Sequence, residues 1–439
     1  MRNLTEWRWA ILFALLRTGL CGYRAVTQSI VHDEAFGFLR YLNGPWSDLW
    51  SPLYDANNHV LYMVLAKCSV LVFGVSEASL RLPSVLGGLA MMLGIFRVLE
   101  PYRSRWVRWL AYLALGLHPL LLDFSVAARG YGLGLAFLVW AIDAIQRDRP
   151  GRGGVLLGLG IAANLTIAFP MLALALVAGR RAPAILAPAL GIAAVICAYP
   201  MRGAHLSHFY VGLPTLDRSL TDLVYTSTRV VGRSAGLFGS EDVARWIARL
   251  GLPVWLISGV VMWRGRPLVP LALAVSALGV VVAHWLFGLQ YPVDRTGLYL
   301  VILAGITWAV LTDLAAHRVL RAAQIMIATA FLVQFTTQLQ THTFRVWPFN
   351  AASKQIALRL RDECAGRAPL SVSVSTYFSD QPSLEFYRTQ YAITCLKPME
   401  RLDDPNLTGY DYYVVNPEKP AQGKQVLYAD PVSGSALAR

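Results

Sequence analysis

Ile30-Val31-His32-Asp33-Glu34-Ala35-Phe36 follows the first hydrophobic segment and sets two adjacent carboxylates at its mouth, beside a histidine and just ahead of aromatic residues. Carboxylates at a bilayer boundary are costly to desolvate, so such a pair points either to function or to a helix end capped among solvated headgroups. What decides between the two is the company the pair keeps on its side of the membrane.

Outward from this stretch the chain is strongly apolar. Of 439 residues, 56% are hydrophobic and only 15% are charged. That composition gives an all-α polytopic membrane protein rather than a string of soluble domains. The apolar run from Trp9 onward is interrupted by Arg17 and Arg24 and lacks a small-residue cleavage site. It is therefore expected to stay as a membrane helix. Measured against the roughly 20 apolar residues needed to cross a bilayer, about 11 transmembrane helices are expected. They fall at 9–30, 82–96, 106–122, 131–145, 155–167, 168–178, 183–199, 252–263, 268–287, 297–311 and 322–339. The segment 59–73 is short and carries Lys67 in its middle, which suits an interfacial helix. The under-length pair around Asn164 and Pro170 reads as a hairpin or as half-membrane helices shielded by protein.

The net charge of +13 comes from Lys and Arg concentrated in short loops. Such residues orient the chain and meet anionic membrane lipids, so no nucleic-acid partner is expected. Arg2/Arg8, Arg97/Arg103/Arg105/Arg108, Arg147/Arg149/Arg152, Arg180/Arg181, Arg264/Arg266 and Arg318/Arg321 occupy alternate loops. The positive-inside rule places these in the cytoplasm. Asp33, Glu34, Asp123, Arg129, the loop 201–249, Asp294, Arg295 and the C-terminal tail then share the outer face. The functional-looking charges converge there.

Residues 1–343 read as the membrane domain, with a first outer loop at 31–81 and a long one at 200–250; residues 344–439 read as a small α/β domain. In the tail, helical spacing covers 351–364 and 383–391, and strand alternation covers 370–376 and 410–416. Cys21, Cys68 and Cys197 lie in apolar segments as packing residues, while Cys364 and Cys395 lie in the tail, where spacing alone leaves open whether they pair if it faces an oxidising compartment. No Walker loop, dinucleotide fingerprint or zinc-ligand spacing occurs in the sequence.

An interfacial carboxylate can serve as a general base toward a hydroxyl, and arginines at the same depth can grip a phosphate bidentately. The order of the motifs extends that reading. Asp33-Glu34-Ala35 after the first helix is followed by Asn57-Asn58-His59-Val60-Leu61-Tyr62, then by Phe73-Gly74 and Ser76-Glu77-Ala78-Ser79-Leu80-Arg81-Leu82-Pro83-Ser84. His118-Pro119, Ala128-Arg129-Gly130-Tyr131 and Pro292-Val293-Asp294-Arg295 come later. As an ordered set these pieces resemble the GT-C glycosyltransferases that use polyprenyl-phosphate sugars, the superfamily of protein O-mannosyltransferases and aminoarabinose transferases. Ala127 stands where many members carry a Glu, and Asp123, one helical turn upstream, is a candidate replacement.

The resemblance implies an inverting transfer of a sugar from a polyprenyl-phosphate donor to a glycan, lipid or protein acceptor on the outer face of a bacterial inner membrane. Asp33 would deprotonate the acceptor, with Glu34 orienting it or binding acceptor. Arg129 and Arg295 would hold the donor phosphate. Asn58, His59 and Tyr131 would bind substrate, with a structural histidine the alternative at His59. Lys67 would either contact phosphate or snorkel to the interface. Asp294 would pair with Arg295, Arg17 has no assigned role, and a divalent cation near the carboxylates is left open. The competing functions are a lipid-linked saccharide flippase, which would show mid-bilayer charges and inverted repeats, and a surface-polysaccharide polymerase or ligase.

Overall fold

The computed structural model describes residues 4–51, 55–209, 211–230, 232–251, 253, 257, 268–315, 318–402, 408–416 and 423–439. The chain is built from α1 (Leu4–Thr27), α2 (His32–Gly37), α3 (Val60–Phe73), α4 (Glu77–Leu99), α5 (Arg105–Leu117), α6 (Pro119–Asp123), α7 (Tyr131–Gln146), α8 (Pro150–Ala163), α9 (Ala168–Ala178) and α10 (Ala182–Cys197). There follow α11 (Leu216–Thr228), α12 (Glu241–Trp246), α13 (Leu268–Phe287), α14 (Leu298–Leu314), α15 (Arg318–Thr337), α16 (Ser353–Glu363) and α17 (Gln381–Gln390).

Helix covers each expected span that falls within the described residues; the one at 252–263 lies almost wholly outside them. Six stretches among the described residues are long and apolar enough to cross a membrane: α1, α4, the run Leu165–Cys197, α13, Asp294–Leu314 and α15. The shorter helices rest on one another, α8 on α7 and α10, and α9 on α13. The pair around Asn164 and Pro170 thus spreads mainly to different neighbours, while α8 and α9 also touch each other and both pack on α10.

The break between α5 and α6 explains Arg17. Pro119 disfavours helical geometry at His118, which sits at φ −60°, ψ 123°. Carbonyls freed at a helix end need partners, and lipid supplies none. Arg17 supplies them. Its Nε donates to the Gly116 carbonyl at 2.7 Å, and its Nη2 donates to the Leu121 carbonyl at 3.0 Å and to Ser125 Oγ at 2.8 Å.

Charged side chains gather at the two ends of the bundle. At one end Glu6 at the start of α1 pairs with Arg108 at 2.7 Å and Arg105 at 3.5 Å. At that same end Arg147 and Arg97 pair with Asp143 and Glu100. At the other end Arg24 holds Asp123 at 2.5 Å, and the Arg345 backbone N–H donates to the same carboxylate at 2.7 Å. α2 lies at this second end.

The C-terminal region carries β1 (Val374–Ser375), β2 (Tyr412–Val415), β3 (Val426–Ala429) and β4 (Ala436–Ala438) in the order β1-β2-β4-β3. β1 runs parallel to β2, and the other neighbours are antiparallel. The strand expected over 370–376 shrinks to β1, because Val372 bridges instead to Leu396. Cys364 and Cys395 are disulfide-bonded with Cα atoms 5.8 Å apart. Cys21 and Cys197 are buried as expected, whereas Cys68 is exposed.

One hydrophobic cluster joins this region to the first loop, packing Leu384, Phe386 and Tyr387 of α17 with Ile30, Ala35, Phe38 and Met63. The Tyr387 hydroxyl accepts from the Ile30 N–H at 2.8 Å and donates to Glu77 at 3.0 Å. α2 is thereby clamped between the bundle and the sheet region.

Candidate active site

Asp33 and Glu34 are adjacent in sequence, but consecutive helical residues point about 100° apart. In α2 that angle divides their roles. Glu34 turns inward and is buried. Its Oε1 and Oε2 accept from Arg81 Nε at 3.0 Å and Nη2 at 2.6 Å, and it also accepts from the backbone N–H groups of Val31 and Ala128. Arg81, fully buried, also donates to the carbonyls of Ala25, Gln28 and Ser29. This network ties the end of α1, the start of α2 and the segment 127–129 into one unit. Ser84 Oγ reinforces it at the Ala127 and Arg129 carbonyls, at 2.5 and 3.1 Å.

Asp33, turned the other way, lines a cavity of about 670 Å³. Its Oδ2 lies 3.5 Å from Arg295 Nη2 and 3.9 Å from Arg129 Nη2. Arg129 is 3% exposed, and among the described residues its Nε and Nη1 have no hydrogen-bond partner. Leaving such buried donors unpaired costs about 1–3 kcal/mol each, a cost that an incoming anion would remove.

Arg295 is held from two sides. Its guanidinium stacks 5.2 Å from the centre of the Trp347 ring and lies 3.8 Å from Asp294. Asp294 adopts φ 32°, a left-handed conformation that Asp tolerates better than most residues. α11 braces this turn: Asp222 accepts from the Asp294 N–H at 2.9 Å, and Ser219 donates to the Pro292 carbonyl at 2.5 Å.

Of the residues expected at the site, the cavity brings together Asp33, Asn58, His59, Arg129, Tyr131 and Arg295. It does not take in Glu34, Asp123 or Lys67, and each has a physical reason. Glu34 is consumed by Arg81. Asp123 neutralises Arg24 and caps the Arg345 N–H, so its carboxylate is occupied. Lys67 donates to the Gly44 carbonyl at 2.7 Å and lies over the Trp46 ring at 5.2 Å, fastening the first loop to α3.

His59 is buried, and its pKa is held well below the usual value, first by burial and then by Arg129 and Arg295. The imidazole is therefore neutral at physiological pH. Burial also lowers His32, whose Nδ1 donates to the Ser379 carbonyl at 3.1 Å. His32 stacks parallel to Phe36 with centroids 6.5 Å apart, and the Arg401 guanidinium lies 5.7 Å from the Phe36 ring centre and 5.9 Å from that of Phe378.

The cavity residues not singled out for the site from sequence include Asn164, His32 and Arg401. Asn164 carried one signal, its place at the joint of two under-length helices. His32 stands next to Asp33. Arg401 carried none, because it reaches the cavity from the C-terminal region. Among the described residues no group of three or more His, Cys, Asp or Glu side chains is placed to hold a metal ion.

Gly130, between Arg129 and Tyr131, permits the close approach that builds this wall. A Cβ there would overlap the Ala163 carbonyl and fall 3.1 Å from His59 Cβ. Gly130→Ala is therefore expected to displace α8 from His59 and Arg129. Overpacking of this kind costs about 1–3 kcal/mol. Thermal unfolding in detergent should show that loss, together with weaker binding of any cavity ligand; an unchanged melting temperature would contradict the packing.

No family model matches the sequence, and no curated protein matches it significantly. Among solved structures the chain is similar to ArnT from Cupriavidus metallidurans bound to undecaprenyl phosphate, with a TM-score of 0.55 and 14% identity over 99% of this chain and 98% of that one. ArnT from the same organism in the apo state matches with a TM-score of 0.55, 12% identity and the same coverage. The archaeal oligosaccharyltransferase AglB from Archaeoglobus fulgidus, at a TM-score of 0.45 and 12% identity over 90% of this chain and 65% of that one, adds no weight. The likeness to ArnT establishes the fold: this chain has the GT-C fold that the sequence resemblance implied, an all-α membrane bundle with a small C-terminal sheet.

Proposed function

We propose that this GT-C membrane protein is a glycosyltransferase. It moves a sugar from a polyprenyl phosphate to a hydroxyl-bearing acceptor at the outer face of a bacterial inner membrane, with inversion. The observation that carries the proposal is the Asp33 carboxylate lying within 4 Å of both Arg295 and Arg129 on the wall of one cavity. The fold it shares with a protein crystallised with undecaprenyl phosphate supports a lipid-phosphate ligand.

The chemistry follows from this arrangement. The acceptor oxygen attacks the anomeric carbon while the bond from that carbon to the phosphate oxygen breaks, through an oxocarbenium-like transition state. Asp33 takes the acceptor proton. Arg129 and Arg295 stabilise the charge that grows on the departing phosphate. Asp33 is the carboxylate that faces both guanidiniums, with Asp294 a further partner of Arg295 at 3.8 Å, and the Asp33 distances of 3.5 and 3.9 Å are ion-pair contacts too long for good hydrogen bonds. A lipid phosphate would draw both guanidiniums to itself and leave the carboxylate free to accept a proton. Glu34 acts through Arg81 as a positioning residue, holding α2 so that Asp33 faces the cavity.

The C-terminal region, 344–439, acts as an outer-face domain closing the cavity on the side of Arg401. The Cys364–Cys395 disulfide agrees with an oxidising compartment on that side.

The test is equilibrium binding of undecaprenyl phosphate to the purified protein. Charge-assisted hydrogen bonds contribute about 1.5–3 kcal/mol each, so Arg129→Ala and Arg295→Ala are each expected to weaken binding by about 10–100-fold. Undiminished binding in both variants would overturn the phosphate assignment.

A further inference from the structure

Among the residues that line the cavity with the guanidinium pair, three carry buried, uncharged polar atoms without partners. Asn58, His59 and Asn164 all line the cavity and all are more than nine-tenths buried. Among the described residues Asn58 Oδ1, His59 Nε2 and Asn164 Nδ2 make no hydrogen bond.

The surroundings fix which end of each amide is left over. Asn58 Nδ2 donates to the Leu49 carbonyl at 3.1 Å, so its unsatisfied atom is an acceptor. Asn164 Oδ1 accepts from the Thr166 N–H at 3.0 Å and from its hydroxyl at 2.6 Å, so its unsatisfied atom is a donor. Two glycines of the 130–134 segment seat Asn164 and His59 on this wall. Gly130 lies against Ala163 and His59, and a Cβ on Gly134 would stand 3.2 Å from Asn164 Cβ. The Tyr131 ring meets His59 edge-on with centroids 5.4 Å apart, holding the imidazole in place. Buried acceptors and donors of this kind are costly unless something pairs with them. A hydroxyl group does so naturally, since it both donates and accepts.

We infer that Asn58, His59 and Asn164 form a neutral hydrogen-bonding subsite for the hydroxyl groups of the donor's sugar, beside the arginines that take its phosphate. The inference rests on the transferase reading and deepens it. An anionic lipid binds at Arg129 and Arg295 with or without a sugar. The amides and the neutral imidazole distinguish a glycosylated lipid phosphate from a bare one. Asn164 is the specificity-determining member, because it alone supplies an amide donor.

The experiment compares binding of bare undecaprenyl phosphate with binding of undecaprenyl phosphate carrying a pentose, a hexose or an N-acetylhexosamine, each to the full chain in detergent. With three polar groups available, at least one glycosylated lipid is expected to bind about tenfold or more tightly than the bare lipid. Asn164→Ser keeps an oxygen to accept from the Thr166 N–H and removes the amide nitrogen, whose reach the shorter hydroxyl lacks; Asn58→Ala removes the acceptor. Each variant should lose most of that preference while its affinity for the bare lipid stays at the wild-type level, which also reads out correct folding. Wild-type protein that binds the bare lipid but prefers no glycosylated one would overturn the subsite alone. Preference retained in both variants would do the same. Failure of wild-type protein to bind even the bare lipid would instead defeat the transferase reading beneath it.

Discussion

Asp33→Asn is expected to lower sugar transfer by about 10²–10⁴-fold, the usual contribution of a general base. The amide keeps the shape of the side chain and loses the proton-accepting charge. That charge also sits between two guanidiniums, at 3.5 and 3.9 Å. Removing it leaves Arg129 and Arg295 with no counter-charge from position 33, so undecaprenyl phosphate should bind the variant as well as or better than wild type. The two effects together separate catalysis from folding, because a damaged cavity would lose both. Reconstituted protein with radiolabelled polyprenyl-phosphate sugars gives the rate, and equilibrium binding on the same preparation gives the affinity. Unchanged turnover would refute the base assignment.

Arg81→Met should produce a large loss of stability. Breaking a buried ion pair from one side costs about 3–5 kcal/mol, because the other charge stays behind unpaired. Glu34 would be that charge, and the carbonyls of Ala25, Gln28 and Ser29 would lose their donor as well. Pairing the change with Glu34→Leu removes the stranded carboxylate. The double variant is therefore expected to melt at a higher temperature than Arg81→Met alone, though below wild type, since the three carbonyls remain unsatisfied. A double variant no more stable than the single one would show that the Glu34 charge is not what the arginine compensates.

These two experiments divide a motif that the sequence presents as a single unit. Asp33 and Glu34 look equivalent on paper, both acidic and both at a helix mouth. Only the turn of α2 sends one into the cavity and the other to Arg81, 47 positions away in the chain. The convergence of Asp33, Arg129 and Arg295 was legible because loop charge sorts segments by side, and residues on one side of a compact bundle have few places to go. Asp123 and Lys67 look like site residues in sequence, yet their partners, Arg24 and the Gly44 carbonyl, are set by tertiary contacts that no local pattern announces.

Helix positions were readable from hydropathy, whereas the α5–α6 break and the use of Arg17 to satisfy it depend on which helix packs alongside. β3 and β4 went unread for a related reason. They are short, and their pairing is decided at a distance, with Ala436 of β4 opposite both Val415 and Ala429. Arg401 belongs to the same class, reaching the cavity only because the C-terminal region folds back over α2.

The most direct measurement of the central claim is a structure of the protein with undecaprenyl phosphate bound. The phosphate oxygens should lie about 2.7–2.9 Å from guanidinium nitrogens of both Arg129 and Arg295, the range for charge-assisted hydrogen bonds. The Asp33 carboxylate should then face the open cavity. A phosphate seated instead at the opposite end of the bundle, among Arg97, Arg105 and Arg147, would contradict it.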